Sequence, residues 1–412
     1  MNTLPLSSLT ALLVFASTAL AADWPQWRGP DRTDISKETG LLKQWPAEGP
    51  KRLWLFEKAG AGYSGPAIVG GKMFTLGTRE NQEVLLALDA NTGKELWAAP
   101  VGEVLENRWG GGPRGTPTVD GDRVYALGGR GGLICAAVAD GKVAWKRTME
   151  ELGGKVPSWG FTESVLVDGN QVVCTPGGPQ GTLAALDKTT GKTLWQSKDW
   201  TSDAQYSSIM PAPINGEPQY VQLVMDSFAG ISPKDGKVLW KVPFPGRTAV
   251  IPTPIVRDNF VFITAGYKVG SKLTEIKAGN QATEVYRNNT MSNHHGGVVL
   301  VGDHLYGHSD SKELGWICMD FKTGAQVWSS TKLGKGAVGC ADGMLYCLDE
   351  GSGTVVLAEA SPKGWAEHGR FKLEPQSTTR SPQGRIWTHP VIANGKLYLR
   401  DQEYIYCYDV KQ

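Results

Sequence analysis

Apolar and polar residues alternate in short runs along most of this chain, and turn residues interrupt the runs at regular places. Near residue 120, for example, Thr116 to Val119 is followed by Asp120-Gly121 and Arg123 to Leu127. After a glycine-rich break come Leu133 to Val138 and Lys142 to Lys146. Period-two alternation predicts strands, and Asp-Gly or Asn-Gly between two such runs predicts a tight hairpin, because both central residues of that turn need positive φ. Comparable dipeptides stand at Gly70-Gly71, Asp120-Gly121, Asp168-Gly169, Asn215-Gly216, Asp258-Asn259, Gly302-Asp303, Asp342-Gly343 and Asn394-Gly395, which makes eight units.

A second phrase counts the units independently. Asp89 to Trp97 reads DANTGKELW and returns as DKTTGKTLW at Asp187 to Trp195 and DFKTGAQVW at Asp320 to Trp328, with short forms at Asp140 to Trp145 and Asp235 to Trp240. Its turn glycines, Gly93, Gly141, Gly191, Gly236 and Gly324, are spaced by 48, 50 and 45 residues and then by 88. The long interval predicts a decayed copy at Ala282 to Tyr286, with Tyr286 in the place of Trp. Four short antiparallel strands repeated eight times, without alternating helices, predict an all-β fold: an eight-bladed β-propeller of four-stranded blades. The last unit supplies only Pro390 to Ala393, Lys396 to Asp401 and Tyr404 to Val410, whereas Lys51 to Phe56 has the outer-strand pattern and no blade of its own. Pairing the two predicts a ring closed by an N-terminal strand, which hides two sheet edges at once.

Met1 to Ala21 is apolar and ends in Ala19-Leu20-Ala21, as a signal peptide does. The expected organisation is therefore a signal peptide over 1–21, an irregular N-terminal cap over 22–50 and the propeller over 51–412, exported to the periplasm or secreted. Trp24 and Trp27 in the polar, Pro-rich lead predict that this lead packs on the propeller. Nothing after the leader is long and apolar enough to span a bilayer. With 42 Lys and Arg against 41 Asp and Glu, the chain lacks the basic excess of a nucleic-acid binder. Its six cysteines form no C-x-x-C and sit in apolar runs, which predicts buried small hydrophobes and leaves a disulfide open.

Functional side chains in a propeller come from the loops that enter each innermost strand and those between second and third strands, because both crowd one face. The long entering loops are Glu103 to Arg114, Glu151 to Thr162, Asp199 to Met210, Arg287 to Gly297 and Leu373 to His389. The candidate ligand-binding set drawn from the two loop classes is Trp109, Arg114, Arg130, Trp159, Tyr206, Asn293, His294, His295, His308, Trp387, His389 and Arg400, with Arg79, Lys335 and Arg385 nearby. An aromatic, cationic face of this kind suits a planar, anionic or hydroxylated small molecule. His294 and His295 are adjacent, and in extended chain at most one of them faces the channel. No metal site is expected from them.

The phrase Asp-x-x-Thr-Gly-Lys-x-x-Trp resembles the repeat of pyrroloquinoline-quinone (PQQ) dehydrogenases and of the outer-membrane assembly-factor propellers, and both resemblances imply eight blades. Together with WPQWRGP at Trp24 to Pro30, NHHGG at Asn293 to Gly297, GHSD at Gly307 to Asp310 and the ending from Trp387 to Gln402, the chain resembles exported PQQ-binding-like propeller proteins. That resemblance implies a binding or scaffold module for a small molecule, a glycan or an exported or envelope protein. The alternative it implies is a PQQ-dependent oxidoreductase acting on an alcohol or sugar, with PQQ and calcium as cofactors and Asp310 or Asp401 standing in for the proton-abstracting carboxylate. The vicinal cysteine pair expected of PQQ alcohol dehydrogenases is absent, as is the lipidation cysteine expected of a membrane-anchored assembly factor.

Overall fold

The computed structural model describes residues 23–311 and 314–412, so the expected signal peptide lies outside the described residues. The described residues form eight sheets of four antiparallel strands, the seventh extended by a parallel fifth strand from the N-terminal segment and the last closed by an N-terminal strand. The second blade is typical: Thr118–Asp120, Arg123–Leu127, Gly132–Ala137 and Val143–Thr148. The decayed copy is real, with Gln281–Asn288 as the outermost strand of the fifth blade. In the last blade Arg52–Phe56 pairs antiparallel with Tyr404–Asp409, Arg52 opposite Tyr408 and Phe56 opposite Ile405, so the N-terminal strand closes the ring.

The repeated phrase is the device that joins one blade to the next. Asp89 Oδ1 accepts hydrogen bonds from the amides of Asn91 and Thr92 and from the Thr92 hydroxyl, which closes a tight turn and holds the carboxyl below its usual pKa. The turn places Gly93 at a left-handed φ of 72°, where a Cβ would lie 2.7 Å from the ring of Trp54 in the preceding blade. Trp97 sits in the same way on Gly141, Trp145 on Gly191, Trp195 on Gly236 and Tyr286 on Gly324. Each ring also donates across the seam, Trp145 Nε1 to Lys188 O at 2.9 Å and Tyr286 Oη to Phe321 O at 3.0 Å. Tyr286 thus does the work of Trp, because a planar ring with a donor at its far end is what the seat requires. Apolar side chains fill the space between neighbouring sheets, as Phe74 and Leu85 of the first blade do against Val124 and Ile134 of the second.

The residues ahead of the closing strand run along the inner ends of the blades. The Trp24 amide donates to Ile68 O in the first blade, the Val119 amide of the second donates to Pro25 O, and Arg32 donates to Ser164 O beside the third. Trp27 Nε1 donates to Thr253 Oγ1 ahead of the fifth, Arg28 to Val298 O in the sixth, and Ile35–Ser36 pairs in parallel with Gly336–Ala341 of the seventh. The segment therefore lies across the central channel and touches most of the ring. All six cysteines are buried and free. No helix among the described residues is long and apolar enough to cross a membrane.

Candidate functional site

One mouth of the channel holds a cavity of about 240 Å³. Its floor is Trp27 of the N-terminal segment, 4.6 Å from the ring of His389. The walls come from the loops entering the blades: Tyr63 before the first, Trp109 and Arg114 before the second, Trp159 before the third, Tyr206 before the fourth, His294 and His295 before the sixth, and Trp387 and His389 before the last. Tyr267, between the second and third strands of the fifth blade, completes the ring. Each wall residue lies in an irregular connection between strands, so the blades anchor both ends of its loop while the loop's own sequence sets which side chain faces the cavity.

Arg114 is the cavity's cation. The loop ahead of it turns through Gly110 and Gly112 at positive φ, and the carbonyls of those two glycines accept from the Arg114 guanidinium. The guanidinium lies 5.6 Å from the Tyr63 ring centre, and burial lowers its pKa. No ion pair holds it among the described residues, so charge is left for a ligand.

The opposite wall is a chain of hydrogen bonds. His294 Nε2 lies 2.7 Å from Tyr267 Oη, Lys335 Nζ lies 2.6 Å from His294 Nδ1, and Lys335 also pairs with Asp310 at 3.0 Å. His295 Nδ1 approaches His294 Nδ1 to 3.0 Å, and its ring stacks on Trp387 at 4.6 Å. Burial, reinforced by Lys335, lowers the His294 pKa to about 3, and burial with its cationic and imidazole neighbours holds His295 well below its ordinary value. Both rings are thus neutral near pH 7. The extended chain expected here is bent at His295 and Gly296, which brings both rings to the cavity side, 3.8 Å apart, in place of the expected opposite directions. Below them, His389 Nδ1 faces Asp34 Oδ2 at 2.9 Å, and its Nε2 donates to His295 O at 2.9 Å. Arg28 pairs with the same Asp34 at 3.2 Å.

The sequence-derived set therefore divides. Trp109, Arg114, Trp159, Tyr206, His294, His295, Trp387 and His389 line the cavity. Asn293 and Arg400 are buried behind it: Asn293 Nδ2 donates to Gly297 O and His308 O, and Arg400 bonds Ser64 O, Leu76 O and Gln402 O. His308 stands against Asp310 at 3.5 Å and edge-on to Trp316. Arg130 lies outside, paired with the exposed Glu103. Asp310 is held by Lys335, and Asp401 is fully buried against Arg380 at 2.5 Å. Sequence reasoning missed Tyr63 and Tyr267. Tyr63-Ser64 before the first blade repeats Tyr206-Ser207 before the fourth, a signal that finds Tyr63 once the two loops are aligned; nothing comparable marks Tyr267.

The donor set does not fit a calcium-bound quinone. Calcium needs six or more oxygens, carboxylates prominent among them, and no described Asp or Glu lines the cavity. Among the described residues no three His, Cys, Asp or Glu converge as a metal set.

Comparison with known proteins places the repeat. The family profile of the outer membrane protein assembly factor BamB matches residues 80–330, more than half of the chain. The serine/threonine-protein kinase AfsK of Streptomyces griseus is 31% identical over 162 residues, which is 38% of this chain but only 19% of that protein's length. BamB from Moraxella catarrhalis superposes with a TM-score of 0.59 at 15% identity, over 85% of this chain and 94% of that one. A quinohemoprotein alcohol dehydrogenase from Comamonas testosteroni superposes with a TM-score of 0.65 at 13% identity, over 96% and 82%. At such identities these two structures carry the fold alone.

Proposed function

The chain belongs to the family of the outer membrane protein assembly factor BamB, and on that premise we propose that it is an exported binding propeller that takes a small ring-shaped molecule into the cavity at its channel mouth. The observation that carries this reading is the cavity itself: about 240 Å³ walled by Trp27, Tyr63, Trp109, Trp159, Tyr206 and Trp387, with Arg114 in no ion pair among the described residues. Aromatic walls with a few convergent polar groups are the usual make-up of a small-molecule site, and flat faces stack on sugars and aromatic rings alike. Export to the envelope belongs to the same reading, from the apolar leader and the family.

The reading is tested with purified protein against monosaccharides, aromatic alcohols and ring acids, by thermal shift and quenching of tryptophan fluorescence. A ligand at a hundredfold excess over its Kd adds about 2.7 kcal/mol of stability. At least one ring compound is expected to do so, and Trp159→Ala together with Trp387→Leu to abolish the effect. A panel that leaves both signals unchanged would set the reading aside. The oxidoreductase alternative is tested in parallel: PQQ uptake at micromolar concentration with calcium, followed by dye reduction with alcohols or aldoses, would replace a binding role with a catalytic one.

A further inference from the structure

Two polar groups of the cavity wall bear on which ring compound it accepts. One is the unpaired guanidinium of Arg114. The other is on His295, and its character follows from the hydrogen bonds behind it. Lys335 has only protons to give, so His294 Nδ1, 2.6 Å away, is an acceptor. A neutral His294 then carries its proton on Nε2 and donates it to Tyr267 Oη. Two bare lone pairs 3.0 Å apart would repel, so His295 Nδ1 carries the proton of their contact and shares the His294 lone pair with Lys335. A neutral His295 is left with a bare lone pair on Nε2, which has no partner among the described residues and lies in a ring that lines the cavity and is stacked on Trp387. Asp310, held 3.0 Å from Lys335, keeps the lysine aimed at His294 and so fixes both tautomers from outside the cavity.

We propose that the ligand is a ring compound bearing both a carboxylate and a hydroxyl group, with the carboxylate on Arg114 and the hydroxyl donating to His295 Nε2 while the ring lies along Trp387. This rests on the binding function proposed above and names the ligand's class. A carboxylate answers a buried cation that no ion pair holds among the described residues, and a hydroxyl answers an acceptor that water would otherwise occupy. Hydroxylated aromatic acids and sugar acids share this chemistry.

The test is calorimetric titration of the full chain with 4-hydroxybenzoate, benzoate and methyl 4-hydroxybenzoate, and with glucuronate against glucose. One hydroxy acid is expected to bind at least about tenfold more tightly than its partner lacking the acid or the hydroxyl, and which of the two does so identifies the source. His295→Phe, which keeps a ring on Trp387 but no acceptor, is expected to erase the preference for 4-hydroxybenzoate over benzoate. Arg114→Gln is expected to erase the preference for acid over ester or neutral sugar. If 4-hydroxybenzoate binds no more tightly than benzoate or its methyl ester, and glucuronate no more tightly than glucose, the proposal is overturned. If only neutral rings such as glucose bind, the ligand class fails and the binding function stands; if no ring compound binds, both fail. Long-range proton–nitrogen NMR of the histidine side chains gives an independent reading. It is expected to show the His295 proton on Nδ1, and a proton on Nε2 would overturn the assignment.

Discussion

The outer rim and the channel mouth are built on opposite plans. At the rim one solution is copied from blade to blade: an Asp closes a turn, the turn glycine makes a seat, and the previous blade's ring fills it. These contacts are either local, such as Asp89 to Thr92, or between neighbours, such as Trp97 on Gly141. At the mouth each loop contributes a different side chain, and the contacts join distant parts of the chain, as His389 does with Asp34, 355 residues apart. Repetition of the seat at most seams gives successive blades a similar offset, which is what a closed ring needs, although Gly279 and Gly364 in the fifth and seventh blades meet no ring. A chemically useful cavity needs the reverse, because equivalent groups around a ring offer a ligand no orientation. The residues that repeat therefore hold the structure, and those that do not repeat are where the proposed binding function places recognition.

The sharpest way to break this division is at Arg400, which the sequence groups with the mouth although its bonds are those of a clamp. Its guanidinium ties the last blade to Ser64 O, Thr75 Oγ1 and Leu76 O of the first. Arg400→Met is expected to cost about 3–5 kcal/mol, because those buried acceptors lose their donor together. Denaturant unfolding at constant slope measures it. A loss below about 1 kcal/mol would show that the seam does not depend on the clamp. At the rim, Gly141→Ala puts a Cβ 2.6 Å from the Trp97 ring at a φ of 74°, whereas Gly121→Ala, at φ 57°, meets nothing within 4 Å. The first is expected to cost about 2–4 kcal/mol and the second about 1 kcal/mol, since only the first adds a clash to the backbone strain. Equal costs would remove the seat from the account.

A smaller effect probes the boundary between the two regions. Glu163 is buried before the third blade, and burial raises its carboxyl to about 7 despite hydrogen bonds from the Thr175 amide and hydroxyl. With the folded pKa above the unfolded value of 4.5, the native state holds the extra proton between them. Its contribution is fully present below about pH 4.5 and is lost as pH rises through about 7. Glu163→Gln is expected to remove about 1–3 kcal/mol of that decline, seen as a flatter plot of stability between pH 5 and 8. Glu350, also raised to about 7, leaves a residual slope in the variant.

The two plans were unequally legible in the sequence. Hairpin turns announce themselves because few residues tolerate their dihedrals, and Asn215-Gly216, Asp342-Gly343 and Asn394-Gly395 are the turns the pattern predicts. At Asp120 and Asp168 the strand runs one residue further, since each Asp pairs across the hairpin with Arg123 or Gln171 and the following Gly opens the turn. The mouth was legible only as a list of loops. Long loops between repeats pointed to Trp109, Arg114, Trp159 and Trp387, but the bend that turns His294 and His295 the same way is set by neighbours that sequence spacing does not reveal. Trp27 read as part of a lead that packs on the propeller, and its place as the cavity floor depends on Thr253, which is 226 residues away.

Arg130 supplies the finest test, because it comes from the same face as Arg114 and carries the same group. It pairs at 3.2 Å with Glu103, and the two side chains are 49% and 83% exposed. Such pairs contribute about 0.5 kcal/mol or less, since water screens the attraction and two long side chains must be held still. Arg130→Ala is therefore expected to leave stability nearly unchanged, and to leave the affinity for any ring compound within about twofold, while Arg114→Gln lowers the affinity for a ring acid. The decisive difference between the two arginines is burial: the same charge inside an aromatic wall acts on a ligand without screening. If Arg130→Ala weakened uptake as much as Arg114→Gln, the ligand would be seated on the outer loops, and the division between a structural rim and a recognising cavity would fail.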